Sequence, residues 1–544
     1  MSRRSVGEGS SPTVSEVLAR RAAVAPGSPF LHFGDATWSY GEVEAQALSL
    51  AASLKNLGVG EGDRVALVLP AWPEFAVAVF AAAKLGARVV PLDPRLTLPD
   101  LRYMLRHSGA VCAVSAEDAY GIDYLQLFED LLNELPGLRH LVTVGEEDLW
   151  YDDRIFQWED LVSPGRGRDF AEPEVDPRTP FAIVYTFGTT GKPKGVELSH
   201  GNLLYAAAGT AAATGMNARD VVAGVGALHH AFGLGPGLLG TALEGASLIL
   251  QDDRDPVETF ALAERHGATI VNSVPSLFAA ALGDVENPSR APESLRLCIA
   301  AGAPVRESLA RRVEESFGVP LIIAYSLTEA ASTLAIGRHQ EAAATRWFTV
   351  GRPLEGTTVR VTEDDGTPLP GESVGEIRVQ GPGVMCGYHR QPQETAASFD
   401  EEGFLKTGDL GMLDDEGCLH VIGRREDVMI RGGFNVYPRE LEDRLTAHPA
   451  IARAVVVGVS DEILGEAICA CVIRVEGGVV SENELREWSA ATLSAYKVPD
   501  FVSFMDDFPR TASGGIWRQE LARQVSSART GPPKANAKPR LTAD

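Results

Sequence analysis

The sequence predicts an α/β protein: a large N-terminal domain of mostly parallel sheets with a β-rich subdomain, then a small α+β C-terminal domain. Three observations carry that expectation. Short apolar strands and amphipathic helical stretches alternate through the first two-thirds of the chain, as when helices cover a parallel sheet. After about residue 345 the pattern changes to short strands and turns. Past about residue 425, strands and helices mix again over roughly a hundred residues, an ordinary domain size.

Taken in order, residues 1–12 are rich in Ser, Gly and Pro and read as a disordered tail. "EVEAQALSLAASLKNLGV" has helical spacing and ends at a glycine. "DRVALVLP" is a buried strand, "EFAVAVFAAAKLGA" a helix and "RVVPLDP" a strand, and the exchange continues through "HGATIVNSVP" and "SLRLCIAAGAP". The N-terminal domain is expected to span 13–425, with its β-rich part over about 346–425. The C-terminal domain is expected over 426–525, and a second disordered tail over 526–544.

With 74 acidic against 49 basic residues, the chain carries a formal charge of −25. That balance argues against nucleic acid and anionic membrane as partners. The six cysteines show no C-x-x-C spacing and are expected to be reduced, buried thiols of a cytoplasmic protein. Cys469 and Cys471 alternate in "AICACVI", so they should share one face of a strand. No apolar run is long enough to span a membrane, and the N-terminus lacks the apolar core of a secretory signal.

The strongest local signal is "FAIVYTFGTTGKPKGVELSH", Phe181 to His200. An apolar strand runs into a loop holding Thr186, Gly188, Thr189, Thr190, Gly191 and Lys194, and a helix starts near Ser199. Glycines let backbone N–H groups approach an anion, while hydroxyls and ammonium groups add donors, which suits a polyphosphate. The spacing of Gly188 and Gly191 is not that of a Walker A loop. A surface turn would use many of the same residues.

"YTFGTTGKPKG" resembles the phosphate loop of the adenylate-forming superfamily of acyl-CoA synthetases, peptide-synthetase adenylation domains and luciferases. Four further segments follow in the family's order: "AYSLTEA" (Ala324 to Ala330), "KTGDLG" (Lys406 to Gly411), "GRREDVMIRGGFNVYPRELE" (Gly423 to Glu442) and "PRTASGGIWRQEL" (Pro509 to Leu521). The resemblance covers nearly the whole chain. It implies a small-molecule carboxylic acid, ATP or a ready-made acyl-AMP, Mg²⁺ and coenzyme A, with a mobile C-terminal domain. An acyl-adenylate forms first, and a thiol then displaces AMP.

Residue by residue, the resemblance implies that Tyr325 stacks on adenine, Thr328 bonds the α-phosphate and Glu329 binds Mg²⁺, with Ser326 in the same adenylate motif. Asp409 should accept from the ribose hydroxyls and Arg424 support the ribose or phosphate. Gly302, Ala303 and Pro304 should line the adenine and acyl pocket. "HHAFGLG" aligns His230 with the family's gating residue, beside Phe232, Gly302 and Leu327 of the acyl pocket. Glu426 falls at the interdomain hinge. Gly432 and Gly433 fit a narrow pantetheine channel, because glycine permits close backbone approach. Taken alone, "SLTEA" would equally read as a helix cap, and His230 as a packed core residue.

Two positions depart from the family pattern. Gly515 stands where the family carries a lysine that neutralises charge during adenylation, and Phe187 replaces a small hydroxyl residue in the phosphate loop. Losing one such electrostatic stabiliser costs about a hundredfold in rate or more. The expectation is therefore an acyl-CoA ligase impaired in or lacking adenylation, served by a separate adenylating enzyme. It would be similar to the non-adenylating ligases of platensimycin/platencin biosynthesis and act on a bulky terpenoid acid. The alternatives are an ordinary two-step ligase, in which Lys497 or Arg518 substitutes or Gly515 replaces a native lysine, and a degenerate adenylate-binding non-enzyme.

Overall fold

The computed structural model describes residues 11–145, 152–163, 165, 167, 169–186, 193–225, 227–252, 255–283, 290–431, 434–461, 464–510 and 515–529. The chain forms two compact units: a larger one that runs to Val421, and a smaller one that begins at Ile422 and also takes in Gly408–Gly411.

The larger unit holds two large mixed sheets. In the nine-stranded sheet, Leu321–Leu327, Leu297–Ala301, Ile270–Ser273, Val221–Ala223, Ser247–Leu250 and Pro29–Phe33 lie side by side and parallel. Antiparallel strands close its edges. Val271, Cys298, Ala300, Leu321 and Ile323 bury one face of this sheet against the helices Pro256–His266, Pro275–Ala281 and Glu307–Phe317. These strands read as unbroken apolar runs in sequence because both faces are covered.

In the eight-stranded sheet, the hairpin Pro180–Thr186 and Lys194–Ser199 joins five parallel strands, and Gly387–Tyr388 adds antiparallel to its outer side. The helix His200–Thr214 starts where the sequence places it. Ser199 caps it, and its hydroxyl and the Asn202 side chain form a reciprocal box that satisfies two end N–H groups. That helix packs beside the Ser332–Ile336 strand, where Thr210 donates to Thr333 at 2.8 Å. The β-rich segment is a four-stranded sheet of Thr358–Thr362, Gly375–Gln380, Leu405–Leu413 and Leu419–Arg424.

The smaller unit centres on the long antiparallel pair Ile451–Asp461 and Gly465–Arg474, with Phe501–Phe504 parallel to the latter. Helices Pro438–Thr446 and Glu482–Ala490 contribute to an apolar core on one side, and Arg518–Arg529 to a core on the other. Cys469 and Cys471 share a face, as alternation requires, with their sulfurs 3.7 Å apart. Cys386 departs from the expectation of buried thiols: it is exposed, while the other five are buried. The last described helix reaches Arg529, beyond position 526, where composition had suggested the tail begins. Most of both expected tails lies outside the described residues. No described helix is long and apolar enough to cross a membrane.

Candidate active site

The Leu321–Leu327 strand delivers Tyr325, Ser326 and Leu327, and a single 3₁₀ turn, Thr328–Ala330, then presents Thr328 and Glu329 at partly exposed positions. The turn ends in two left-handed non-glycine residues, Ala331 (φ 54°) and Ser332 (φ 100°). Such conformations cost energy and are held only where surrounding structure enforces them. The Tyr325 ring is largely buried and packs with Ala330, Leu334 and Ala335.

Glu329 is joined to the phosphate-loop hairpin through a residue that the motif reading missed. The Tyr388 hydroxyl donates to Glu329 Oε1 at 2.8 Å and accepts from Lys194 Nζ at 3.1 Å. The Lys194 ammonium also lies 4.1 Å from the centroid of the Tyr388 ring, within cation–π range. Pairing of Val196 with Tyr388 sets this register. The only sequence signal for Tyr388 is an aromatic beside a glycine, "CGYHR". Gly387 sits at φ 149°, and a Cβ there would meet Thr395 at 3.0 Å. Thr186 ends the strand ahead of the loop. Phe187, Gly188, Thr189, Thr190 and Gly191 lie outside the described residues.

Gly302, Ala303 and Pro304 form an exposed turn directly after the buried strand Leu297–Ala301. Gly302 takes φ 83°, which glycine adopts without strain, and a Cβ on it would lie 3.7 Å from Val274. His230 is exposed, and Phe232, at the start of the π-helix Gly233–Leu239, is half-buried. The buried histidine is the neighbouring His229. Its ring lies 4.4 Å from that of His230, and its Nε2 is 3.4 Å from Asp93. Burial pushes the Asp93 carboxyl up, but hydrogen bonds from His229 and Arg95 outweigh it and hold the carboxyl well below the usual range. Asp93 carries no motif signal of its own, and His229 is the first histidine of the "HHAFGLG" segment, whose alignment placed the role on His230 instead.

In the smaller unit, Asp409 and Arg424 come together, with Nε 3.0 Å from the carboxylate. Asp409 is buried and Arg424 half-exposed. Glu426 is exposed in the 3₁₀ turn Arg425–Asp427 that follows. Gly432 and Gly433 lie outside the described residues, between the paired strands Met429–Arg431 and Phe434–Val436.

Gly515 is exposed on a loop closed by an antiparallel bridge between Arg510 and Ile516. The two cations that could have substituted for a lysine there are already engaged. Lys497 Nζ bonds both oxygens of Glu440 at 2.8 and 2.7 Å. Arg518 pairs with Asp427 at 3.3 Å and with Glu442 at 2.7 Å.

Among the described residues, no group of three or more His, Cys, Asp or Glu side chains is arranged to hold a metal ion. A lone carboxylate with a neighbouring hydroxyl, as at Glu329 and Thr328, still fits Mg²⁺, which takes one or two protein oxygens and fills its shell with phosphate and water.

Residues 18–389 match the family described as AMP-binding enzyme, and residues 440–514 match the AMP-binding enzyme C-terminal domain. A putative acyl-CoA synthetase, YngI of Bacillus subtilis, is 31% identical over 94% of this chain and 97% of its own length. The structure of ATP-bound MatB from Rhodopseudomonas palustris superposes with a TM-score of 0.85 at 28% identity, covering 95% of this chain and all of that one. The o-succinylbenzoate CoA synthetase MenE of Bacillus subtilis, in complex with ATP and magnesium, does so at 0.79 and 28%, covering 93% and 98%.

These similarities overturn the expectation that Gly515 removes the ATP half-reaction. The chain matches, nearly end to end, enzymes that bind ATP, and no comparison points to a thioester-only ligase, a terpenoid acid or a separate adenylating enzyme. The physical reason is that Gly515 subtracts one side chain from a loop, while the Lys194–Tyr388–Glu329 group and Thr328 remain in the larger unit. With a family match over most of its length, this chain belongs to the AMP-binding enzymes and is an acid–thiol ligase.

Proposed function

We propose that the protein is an ATP-dependent acid–CoA ligase that carries out both half-reactions. A carboxylate oxygen of the acid attacks the α-phosphorus of ATP, the bond to the β-phosphate oxygen breaks, and pyrophosphate leaves. The sulfur of coenzyme A then attacks the acyl carbonyl, the acyl–phosphate bond breaks, and AMP leaves. The observation that carries this reading is the Lys194–Tyr388–Glu329 chain beside Thr328, a cation, a hydroxyl and a carboxylate at the root of a glycine-rich loop.

In this reading Lys194, Thr186 and the loop residues Gly188, Thr189, Thr190 and Gly191 receive the leaving pyrophosphate. Thr328 donates to the α-phosphate. Glu329 holds Mg²⁺, which when bound offsets repulsion among the phosphate oxygens. Tyr388 orients Glu329 and Lys194 relative to each other. Tyr325, Ser326 and the Gly302–Pro304 turn flank the adenine. Asp409, oriented by Arg424, accepts from the ribose hydroxyls. His230, Phe232, Gly302 and Leu327 border the acyl group, and Gly432 and Gly433 border the pantetheine arm. The turn at Glu426 serves as the hinge between residues 13–425 and a mobile domain over 426–525.

The test supplies acid, ATP, Mg²⁺ and coenzyme A, and follows pyrophosphate, AMP and thioester by mass spectrometry. A parallel reaction supplies synthetic acyl-AMP and coenzyme A. Thioester in both supports the proposal; thioester from acyl-AMP alone would overturn it.

A further inference from the structure

The strand that carries Tyr388 is two residues long, Gly387–Tyr388, so its ladder alone contributes few hydrogen bonds. Side chains alternate across a strand, and the register therefore divides its neighbours between two faces. Tyr388 pairs with Val196 and shares a face with Lys194, which its hydroxyl meets. Gly387 and His389, on either side of Tyr388, turn to the other face, where Gly387 pairs with Glu197. The His389 backbone N–H continues the ladder, donating to the Gly195 carbonyl at 2.7 Å.

On that second face His389 is 7% exposed, and its Nδ1 lies 2.6 Å from Glu197 Oε1. The hydrogen bond from His389, aided by Arg88, outweighs burial and holds the Glu197 carboxyl below its usual range. An ionised carboxylate only accepts, so Nδ1 carries the proton. Charge-assisted bonds of this length are strong and directional. Arg88 Nη1 donates to the same Glu197 oxygen at 3.3 Å. The His389 ring lies edge-on to that of His107, with centroids 5.5 Å apart, and His107 Nδ1 bonds the Tyr185 hydroxyl at 2.8 Å. The remaining ring nitrogen of His389, Nε2, is buried and has no partner among the described residues. Glu197 is thus the polar anchor of this ring, and it stands on the same strand, Lys194–Ser199, that bears Lys194.

We infer that His389 is a positioning residue for the ATP half-reaction: bonded to Glu197, it holds the Gly387–Tyr388 strand where the Tyr388 hydroxyl reaches both Lys194 and Glu329. The inference rests on the ligase reading above and extends it to a residue that touches no substrate. His389 faces away from Lys194 and Glu329, so its influence passes through the backbone to Tyr388. Without the Glu197 bond, a two-residue strand is free to shift, and a hydrogen bond is lost over a shift of a few tenths of an ångström to an ångström. Partners that orient the groups around a bound metal typically change affinity or rate by about tenfold to a hundredfold.

The experiment uses the full chain and three readouts. They are ATP affinity with Mg²⁺ by calorimetry, pyrophosphate release from ATP with benzoate, cinnamate or hexanoate, and thioester formation from the matching synthetic acyl-AMP and coenzyme A. His389→Leu keeps the bulk and removes the Nδ1 donor. It should weaken ATP binding by about threefold or more and slow pyrophosphate release by about tenfold, with thioester formation changed by less than about twofold. His389→Asn, whose amide nitrogen stands near the Nδ1 position, should recover most of the loss. His389→Gln, whose amide lies further out, should not. In a Tyr388→Phe background, His389→Leu should cost nothing further, because the hydroxyl it positions is gone. A full additional loss in that background overturns the inference. So does equal loss of both half-reactions with a lowered melting temperature, which would make His389 a support of the fold. If the leucine variant does not fold, the asparagine and glutamine variants decide, and equal ATP affinity and pyrophosphate release in the two overturns the inference. Wild-type protein that neither binds ATP nor releases pyrophosphate removes the ligase reading, and the inference falls with it. An active wild type with unaffected His389 variants removes this inference alone.

Discussion

Tyr388 and Glu329 lie 59 positions apart in sequence and meet at 2.8 Å, the tyrosine hydroxyl donating to the carboxylate while Lys194 donates to the same hydroxyl. This chain is strung between the two segments expected to hold the triphosphate. Tyr388→Phe deletes the shared hydroxyl and keeps the ring beneath the Lys194 ammonium. A hydrogen bond to a charged group is worth about 1.5–3 kcal/mol. Acyl-AMP formation should therefore slow by about tenfold to a hundredfold. Thioester formation from synthetic acyl-AMP should change little. Equal loss in both reactions would mean that Tyr388 supports the fold rather than the phosphates.

Gly515 offers no side chain, and Lys497 and Arg518 are committed to carboxylates within the smaller unit. Wild-type protein is nevertheless expected to release pyrophosphate from ATP and acid. Gly515→Lys should accelerate that release by about tenfold or more, as an added electrostatic stabiliser of developing charge does. Its rate from synthetic acyl-AMP should stay unchanged. Pyrophosphate from the lysine variant but none from the wild type would contradict the two-step reading.

Arg518 neutralises two carboxylates at once. Asp427 is raised by burial, against the pull of Arg518, and Glu442 is largely buried. Arg518→Met keeps much of the apolar stem but strands both charges. Breaking a buried pair by removing one partner costs about 3 kcal/mol or more. Calorimetry should show a lowered unfolding transition for the smaller unit, partly recovered by adding Glu442→Gln. A variant as stable as wild type would show that the pair is solvated.

His200 is buried against Phe181, and its Nδ1 accepts the Val14 backbone N–H at 3.2 Å, so the ring is neutral in the folded state. Burial pushes its pKa down to about 4. An unfolded histidine titrates near 6.5 and therefore binds the extra proton first as pH falls. Stability from this group is full above about pH 6.5, declines by about 3 kcal/mol between pH 6.5 and 4, and is flat below. His200→Gln should flatten that part of the denaturation midpoint–pH curve while lowering stability at pH 7. An unaltered slope would assign the acid sensitivity to other groups.

The sheet-and-helix architecture was legible because its signals are local. The runs that became Leu297–Ala301 and Leu321–Leu327 are apolar throughout, and Ser199 announces its helix with a side chain that satisfies end N–H groups. The family was legible for a related reason: phosphate and adenylate motifs are short segments whose residue types suit their tasks. Half-reaction competence was misread from Gly515, because one missing side chain says nothing about the donors assembled elsewhere.

Sequence alone therefore determined the α/β class, the order of the motifs and membership among the AMP-binding enzymes. Tertiary structure decided which residues share hydrogen bonds. It set Tyr388 between Lys194 and Glu329 and bound Lys497 to Glu440. Periodicity reports which face of an element is apolar. It does not report which strands become neighbours, and hydrogen bonds act only over about 3 Å, so pairing across the fold is settled only when the sheet closes.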